Sequence, residues 1–247
     1  MAYKLGKRPP VLDGRTLAFA KYVVQAPGPA PASVNYGNKV TTWPMYGNDQ
    51  YGDCTCAAAG HMIENWSANA KTQVTPPLAS VISFYEHFVG APPPPDAGCD
   101  MLSVLKYWRK SGLDRHEILA FASVSLNNQL EASQAVYLLG SLYVGVALPN
   151  FCVRGNMLAT PWVVPAGGPT GDAAPNPENG HCIPAVGYDT TNLYVVTWGE
   201  VKTMSWGFYF AYADEAFAVL SGDWMEADGL APPGFDLATL RADLAKL

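Results

Sequence analysis

Two thiols two residues apart, Cys54 and Cys56, open a Pro-free, Ala-rich stretch, and a histidine, His181, lies far downstream at the head of a strand-like run. A thiol attacks only as thiolate, and a helix N-terminus favours that form through its unpaired N–H groups and its dipole. An imidazole beside the sulfur stabilises the thiolate and later hands a proton to a leaving group. An amide side chain just upstream can donate to a developing oxyanion, and Asn48 and Gln50 are both candidates for that part. The chemistry these residues suit is acyl transfer through a covalent thioester, which needs no cofactor.

Zinc is the competing use of such side chains. Cys54, Cys56 and His61, with the His181-Cys182 pair, offer ligands, but Cys-x-Cys followed by a lone histidine matches none of the common paired spacings. Cys99, Cys152 and Cys182 are assigned to packing, with Cys182 facing away from the cleft because strand neighbours alternate faces. His61 reads as a hydrogen-bonded structural histidine, and His87 and His116 as surface residues. Paired carboxylates, phosphate-cradling glycine loops and nucleotide fingerprints are absent, which argues against glycosidases, kinases and dehydrogenases.

The elements that must position these groups follow from periodicity and punctuation. Residues 55–66 carry apolar side chains at helical spacing, so a mostly buried helix is expected to start just after Cys54. A second helix fits 77–89, ended by the proline run 92–95. Asp100 can cap a third through Lys110, closed by Gly112, and a fourth fits 129–139. Residues 142–148 favour a strand, and 149–179, full of Gly and Pro, a long loop. Runs 181–188 and 193–198, joined by Asp189, Thr190, Thr191 and Asn192, predict a β-hairpin with His181 opening its first strand. After a turn at Pro232, Pro233 and Gly234, Asp236 can cap a helix whose Leu237, Leu240, Leu244 and Leu247 share one face. Helices come first and strands late, which favours α+β segregation over a parallel sheet.

The chain has 247 residues, 49% hydrophobic, with net charge −6. That is ample for a core, and the basic residues form no run beyond the Lys4, Lys7, Arg8 cluster, so no nucleic-acid partner is expected. Five cysteines, an odd number, and no apolar leader or membrane-length run predict a soluble, cytoplasmic protein with reduced thiols and no membrane partner.

Gly47-Asn48-Asp49-Gln50-Tyr51-Gly52-Asp53-Cys54-Thr55-Cys56-Ala57 resembles the nucleophile segment of papain-like cysteine peptidases, and Gly180-His181-Cys182-Ile183-Pro184-Ala185-Val186-Gly187-Tyr188 resembles their histidine strand. Gly98-Cys99-Asp100, Tyr143-Val144-Gly145-Val146-Ala147, Trp198-Gly199 and Trp206-Gly207 follow in family order, so the similarity spans roughly residues 40 to 210. It implies a papain-like domain over 46–225, with a helical lobe over about 46–115 and an antiparallel β lobe over about 116–225. An extended arm, 1–45, precedes it and the helix at 226–247 follows.

The resemblance also implies site residues. The family has a Gln six positions before its cysteine, a spacing that Gln50 and Cys56 keep. Cys54 would have Asn48 in that role, but it keeps the family's Gly two before (Gly52) and Glu ten after (Glu64), and is preferred. Where the family orients its histidine with an Asn, this chain offers Thr197, whose hydroxyl can accept from the ring N–H. The expected partner is a peptide or protein substrate, and the arm is a candidate to cross the cleft. The rival is a non-catalytic binding or structural protein on the same frame, self-associating through the C-terminal helix. The overall look also resembles proteins of actinobacterial phages, which would place it in a virion.

Overall fold

A computed structural model describes residues 3–23, 30–70, 72–91, 96–225 and 234–246. In chain order its elements are β1 (Leu17–Ala18), β2 (Val34–Asn35), α1 (Cys54–Ala70), α2 (Leu78–Val89), α3 (Met101–Ser111), β3 (Ile118–Ser123), α4 (Gln129–Leu139) and β4 (Leu142–Ala147). Then come α5 (Asn150–Val153), β5 (Gly180–Tyr188), β6 (Asn192–Thr197), β7 (Glu200–Ser205), α6 (Trp206–Tyr212), β8 (Ala213–Ser221) and α7 (Leu237–Leu244). The proline run 92–95, the prolines at 27, 29, 232 and 233, and Leu247 lie outside the described residues.

Local chemistry sets the boundaries. Asp100 accepts from the Ser103 N–H at 2.8 Å and caps α3, which ends at Gly112 with φ +73. Asn128 caps α4 through Glu131 N–H, and Ser205 caps α6 through Phe208 N–H. One Asp189 carboxylate oxygen accepts from the Thr191 and Asn192 N–H groups, which pins the turn between β5 and β6. Every residue of α1 from Cys54 to Ser67 is buried. The Ala and Gly content answers that burial: a Cβ on Gly60 would meet the Tyr46 ring at 2.8 Å.

Among the described residues the strands form one sheet in the order β1-β3-β8-β4-β5-β6-β7, with β2 beside β5. All pairings are antiparallel except β1 with β3. Helices α1 to α3 build one lobe, and their apolar faces meet Tyr143, Cys182, Phe217 and Val219 of the sheet in one core. A second core lies inside the β lobe, where α4 and α6 pack against Val144, Ile183, Ala185 and Val195. The fold is the α+β, two-lobed arrangement the resemblance implies. Helix α1 crosses β5 at the seam, so the N-terminus of one and the first residues of the other come together.

Several sequence expectations change. The segment 149–179 holds α5 and two 3-10 turns at Gly171–Ala173 and Pro177–Asn179. Strands β3, β7 and β8 and helix α6 were not foreseen. The arm does not simply run over the surface: residues 3–8 lie in the seam between the lobes, with Lys7 pairing beside Cys99. Helix α7 lays Leu240 (2% exposed), Leu237 and Leu244 on its own chain's core, and Tyr22 and Lys21 both reach Asp243. The apolar face from which self-association was expected is therefore already used. Among the described residues no helix is long and apolar enough to cross a membrane.

Candidate active site

Helix α1 begins at Cys54, so its sulfur sits at the end where unpaired N–H groups point outward. His181 is the second residue of β5 and Thr197 the last of β6. A small cavity of about 10 Å³, the room one water needs, is lined by Cys54, Asn48, His61, His181, Thr197 and Trp198. Cys56 and Gln50 do not line it: Cys56 is fully buried near Thr55, and Gln50 is exposed. Of the two registers, the structure brings together Cys54 with Asn48.

The His181 ring is held on two sides. Its Nε2 is hydrogen-bonded to Thr197 Oγ1 at 2.8 Å, and Trp198 stacks on its face at 4.2 Å between centroids and 12° between planes. In the tautomer that carries its proton on Nε2, that N–H donates to Thr197, and Nδ1, which no hydrogen bond reaches, keeps a bare lone pair. Trp198 occupies the left-handed region at φ +46, followed by Gly199 at +78, in the two-residue turn between β6 and β7. A bulky side chain there is strained backbone, of the kind that clusters at functional sites.

Thiol and imidazole share the cavity without a direct hydrogen bond, and both are neutral. Burial pushes the Cys54 thiol up to about 12, only partly offset by the backbone N–H groups of Cys182 and Gly6. Burial likewise pulls His181 down to about 3. Asp53 is fully buried, and burial drives its carboxyl well above the ordinary range against a smaller downward pull from the Asn48 side chain. Asp53 adds to the upward push that burial exerts on the Cys54 thiol. Asn48 Nδ2 donates to Tyr51 O at 3.1 Å, and its side chain also lies beside the Asp53 carboxyl.

What buries the pair is the chain's own arm. Tyr3 packs against Trp198 at 5.0 Å, Trp198 Nε1–H donates to Lys4 O, and Lys4 N–H donates to Asn48 O at 2.9 Å. Gly6 and Lys7 N–H both donate to Gly180 O, at 3.2 and 3.1 Å, directly before His181. Cys99 N–H donates to Gly6 O, and Arg8 N–H to Cys99 O. Gly6 must be glycine here, because a Cβ would lie 1.9 Å from Gly52 O.

Other expectations resolve. His61 hydrogen-bonds Pro44 O at 2.7 Å and is pulled down to about 4 by burial, as a structural histidine. The Cys182 thiol packs beside Tyr143 in the core, while its backbone reaches the Cys54 sulfur and the cavity. Trp206 is core filling, with Nε1–H donating to Asp189 O. Sequence reasoning missed Lys7, Asp214 and Glu215, which meet beside the arm. Their trace was two adjacent carboxylates in the otherwise apolar strand β8.

No family model and no curated protein matches the chain. Solved structures do. Xylellain, a cysteine protease from Xylella fastidiosa, superposes with a TM-score of 0.69 at 14% identity, covering 88% of this chain and 96% of that one. The Carica candamarcensis cysteine protease CMS1MS2 gives 0.55 at 15%, covering 77% and 98%. Digestive procathepsin L 3 of Tenebrio molitor gives 0.56 at 13%, covering 89% and 75%. At such identities the likeness is one of fold: this chain has the papain-like fold.

Proposed function

We infer that the chain is a papain-like cysteine peptidase, a thiol-dependent hydrolase of peptide bonds, with Cys54 as nucleophile and His181 as its proton partner. The observation that carries this reading is the single cavity where three separate segments converge: the thiol at the start of α1, the imidazole at the start of β5 and the Asn48 amide. His181 Nδ1 takes the thiol proton and the sulfur attacks the scissile carbonyl carbon. The oxygen, now negative, accepts from Asn48 Nδ2–H and the Cys54 N–H at the first turn of α1. The C–N bond then breaks, the amine leaves with the proton from His181, and water hydrolyses the thioester. Thr197 acts through His181, holding the tautomer that leaves Nδ1 free to accept. The fold shared with cysteine proteases supports the same reading.

The docked arm makes the described form a resting one, since a buried neutral pair must gain water and space before it reacts. That same burial favours the rival reading, an inert protein on a papain-like frame. Turnover of a peptide library separates them. Hydrolysis abolished by Cys54→Ala and retained by Cys56→Ala supports the peptidase; hydrolysis that survives Cys54→Ala, or none from any chain freed of its arm, sinks it.

A further inference from the structure

Lys7 is the least expected side chain in the seam. It belongs to the arm, yet its side chain is 0% exposed, and its ammonium lies 2.9 Å from Asp214 and 3.1 Å from Glu215. It also donates to Arg8 O. Burial alone would lower its pKa, but Glu215 and Asp214 outweigh that and hold it above the ordinary lysine value. The socket is shaped as well as charged. A Cβ on Gly145 would lie 2.2 Å from Lys7 Cε, and one on Gly180 would lie 2.1 Å from Lys7 O.

We propose that the socket formed by Gly145, Met101, Asp214 and Glu215 is the substrate-recognition pocket of this site, and that it takes a cationic side chain one residue from the scissile bond. The proposal rests on the peptidase reading and names the substrate class for it: peptides carrying lysine or arginine. Lys7 then holds the place of that side chain.

Three observations carry this. The arm's backbone is docked as a peptide would be, pairing with Cys99 on one wall and Gly180 on the other, and the Gly6 amide lies against the Cys54 sulfur. The side chain entering the socket is therefore that of the very next residue. Second, the socket suits a cation: Glu215 is 8% exposed, its Oε1 lies 3.1 Å from the Lys7 ammonium, and Asp214 stands beside it, so a positive partner offsets the burial of two carboxylates. Third, the socket has room for a long side chain only because its wall lacks one at Gly145, where a Cβ would lie 2.2 Å from Lys7 Cε and 2.9 Å from Asp214 Oδ1.

The test uses full-length chains that carry Cys54→Ala, so that no chemistry is needed, with Gly6→Ala to displace the arm. Fluorescein-labelled Tyr-Lys-Leu-Gly-Lys-Arg-Pro, the arm's own residues 3–9, is titrated by anisotropy against the same peptide with norleucine in place of its second lysine. The lysine form is expected to bind at least about 10-fold tighter, and Glu215→Gln to remove most of that margin. The titration repeated with Lys7→Met as the displacing change covers a Gly6→Ala chain that does not fold. Equal affinities, or no saturable binding of either peptide to both hosts, overturn the socket and leave the nucleophile reading standing. Peptide turnover that survives Cys54→Ala overturns that reading instead and leaves the titration untouched.

Discussion

His181 Nε2 lies 2.8 Å from Thr197 Oγ1, a hydroxyl in the position from which an amide orients the histidine in the family this chain resembles. The hydroxyl can accept from the ring N–H as an amide oxygen would, but it can also donate, and it sits on a shorter side chain with a rotor free to turn. Thr197→Val keeps the shape and removes the acceptor. Its kcat is expected to fall about 10²-fold with KM little changed, while Thr197→Asn keeps activity within a few-fold. A valine variant as fast as the parent shows that ring orientation does not depend on this contact.

The arm is the second lever. A methyl group on Gly6 meets backbone, Gly52 O at 1.9 Å, and Gly6 O in turn lies 1.9 Å from where a Cβ on Gly98 would stand, so neither side can yield cheaply. Gly6→Ala should undock residues 3–8, and with them the Gly6 N–H that lies against the Cys54 sulfur, while leaving the Cys54 and His181 side chains in the chain. Iodoacetamide labelling of Cys54, read by peptide mass mapping at neutral pH, is expected to rise at least about 10-fold as the thiol is resolvated and its pKa falls from about 12. Cys56, fully buried outside the cavity, should stay unlabelled. Equal rates with and without the substitution mean that the arm does not guard the sulfur.

The legible part of this fold was local. Asp100 before α3, Asn128 to Gly140 around α4 and the Asp189 turn each carry their own hydrogen-bonding instructions, and the elements appear where those residues put them. The start of α1 beside Cys54 was legible from the Pro-free, Ala-rich run with apolar residues at helical spacing, and of the two amide candidates the site holds Asn48 rather than Gln50. Strand β8 was not: its side chains are buried almost throughout, so it shows no alternation, and only partners distant in sequence define it as a strand. The Lys7 socket was invisible too, because Gly145, Lys7 and the Asp214-Glu215 pair meet only once the seam has closed.

Trp198 shields His181 from water by stacking on it, and burial is what pulls the ring down to about 3. Trp198→Ala opens that face, so the His181 pKa should climb towards the ordinary 6.5. Titration of the ring Cε1–H by NMR reads this directly. An unmoved His181 in the alanine variant assigns its burial to the arm alone.

Glu64 gives the clearest pH dependence of stability. It is fully buried on α1, and burial pushes it from 4.5 up to about 8 against smaller downward pulls from Thr75, Tyr46 and Gln73. Because the folded chain holds this proton more tightly than the unfolded chain, the stabilising contribution is complete below pH 4.5. It is lost as pH rises from there towards about 8. His181 and His61, both pulled down by burial, act in the opposite sense, costing stability as pH falls below 6.5. Glu64→Gln isolates the first effect, since the amide cannot ionise. At pH 8 the variant is expected to melt on the order of 5 °C above the parent, and at pH 4.5 to show no such gain. A gain that is the same at both pH values removes ionisation of Glu64 as its cause.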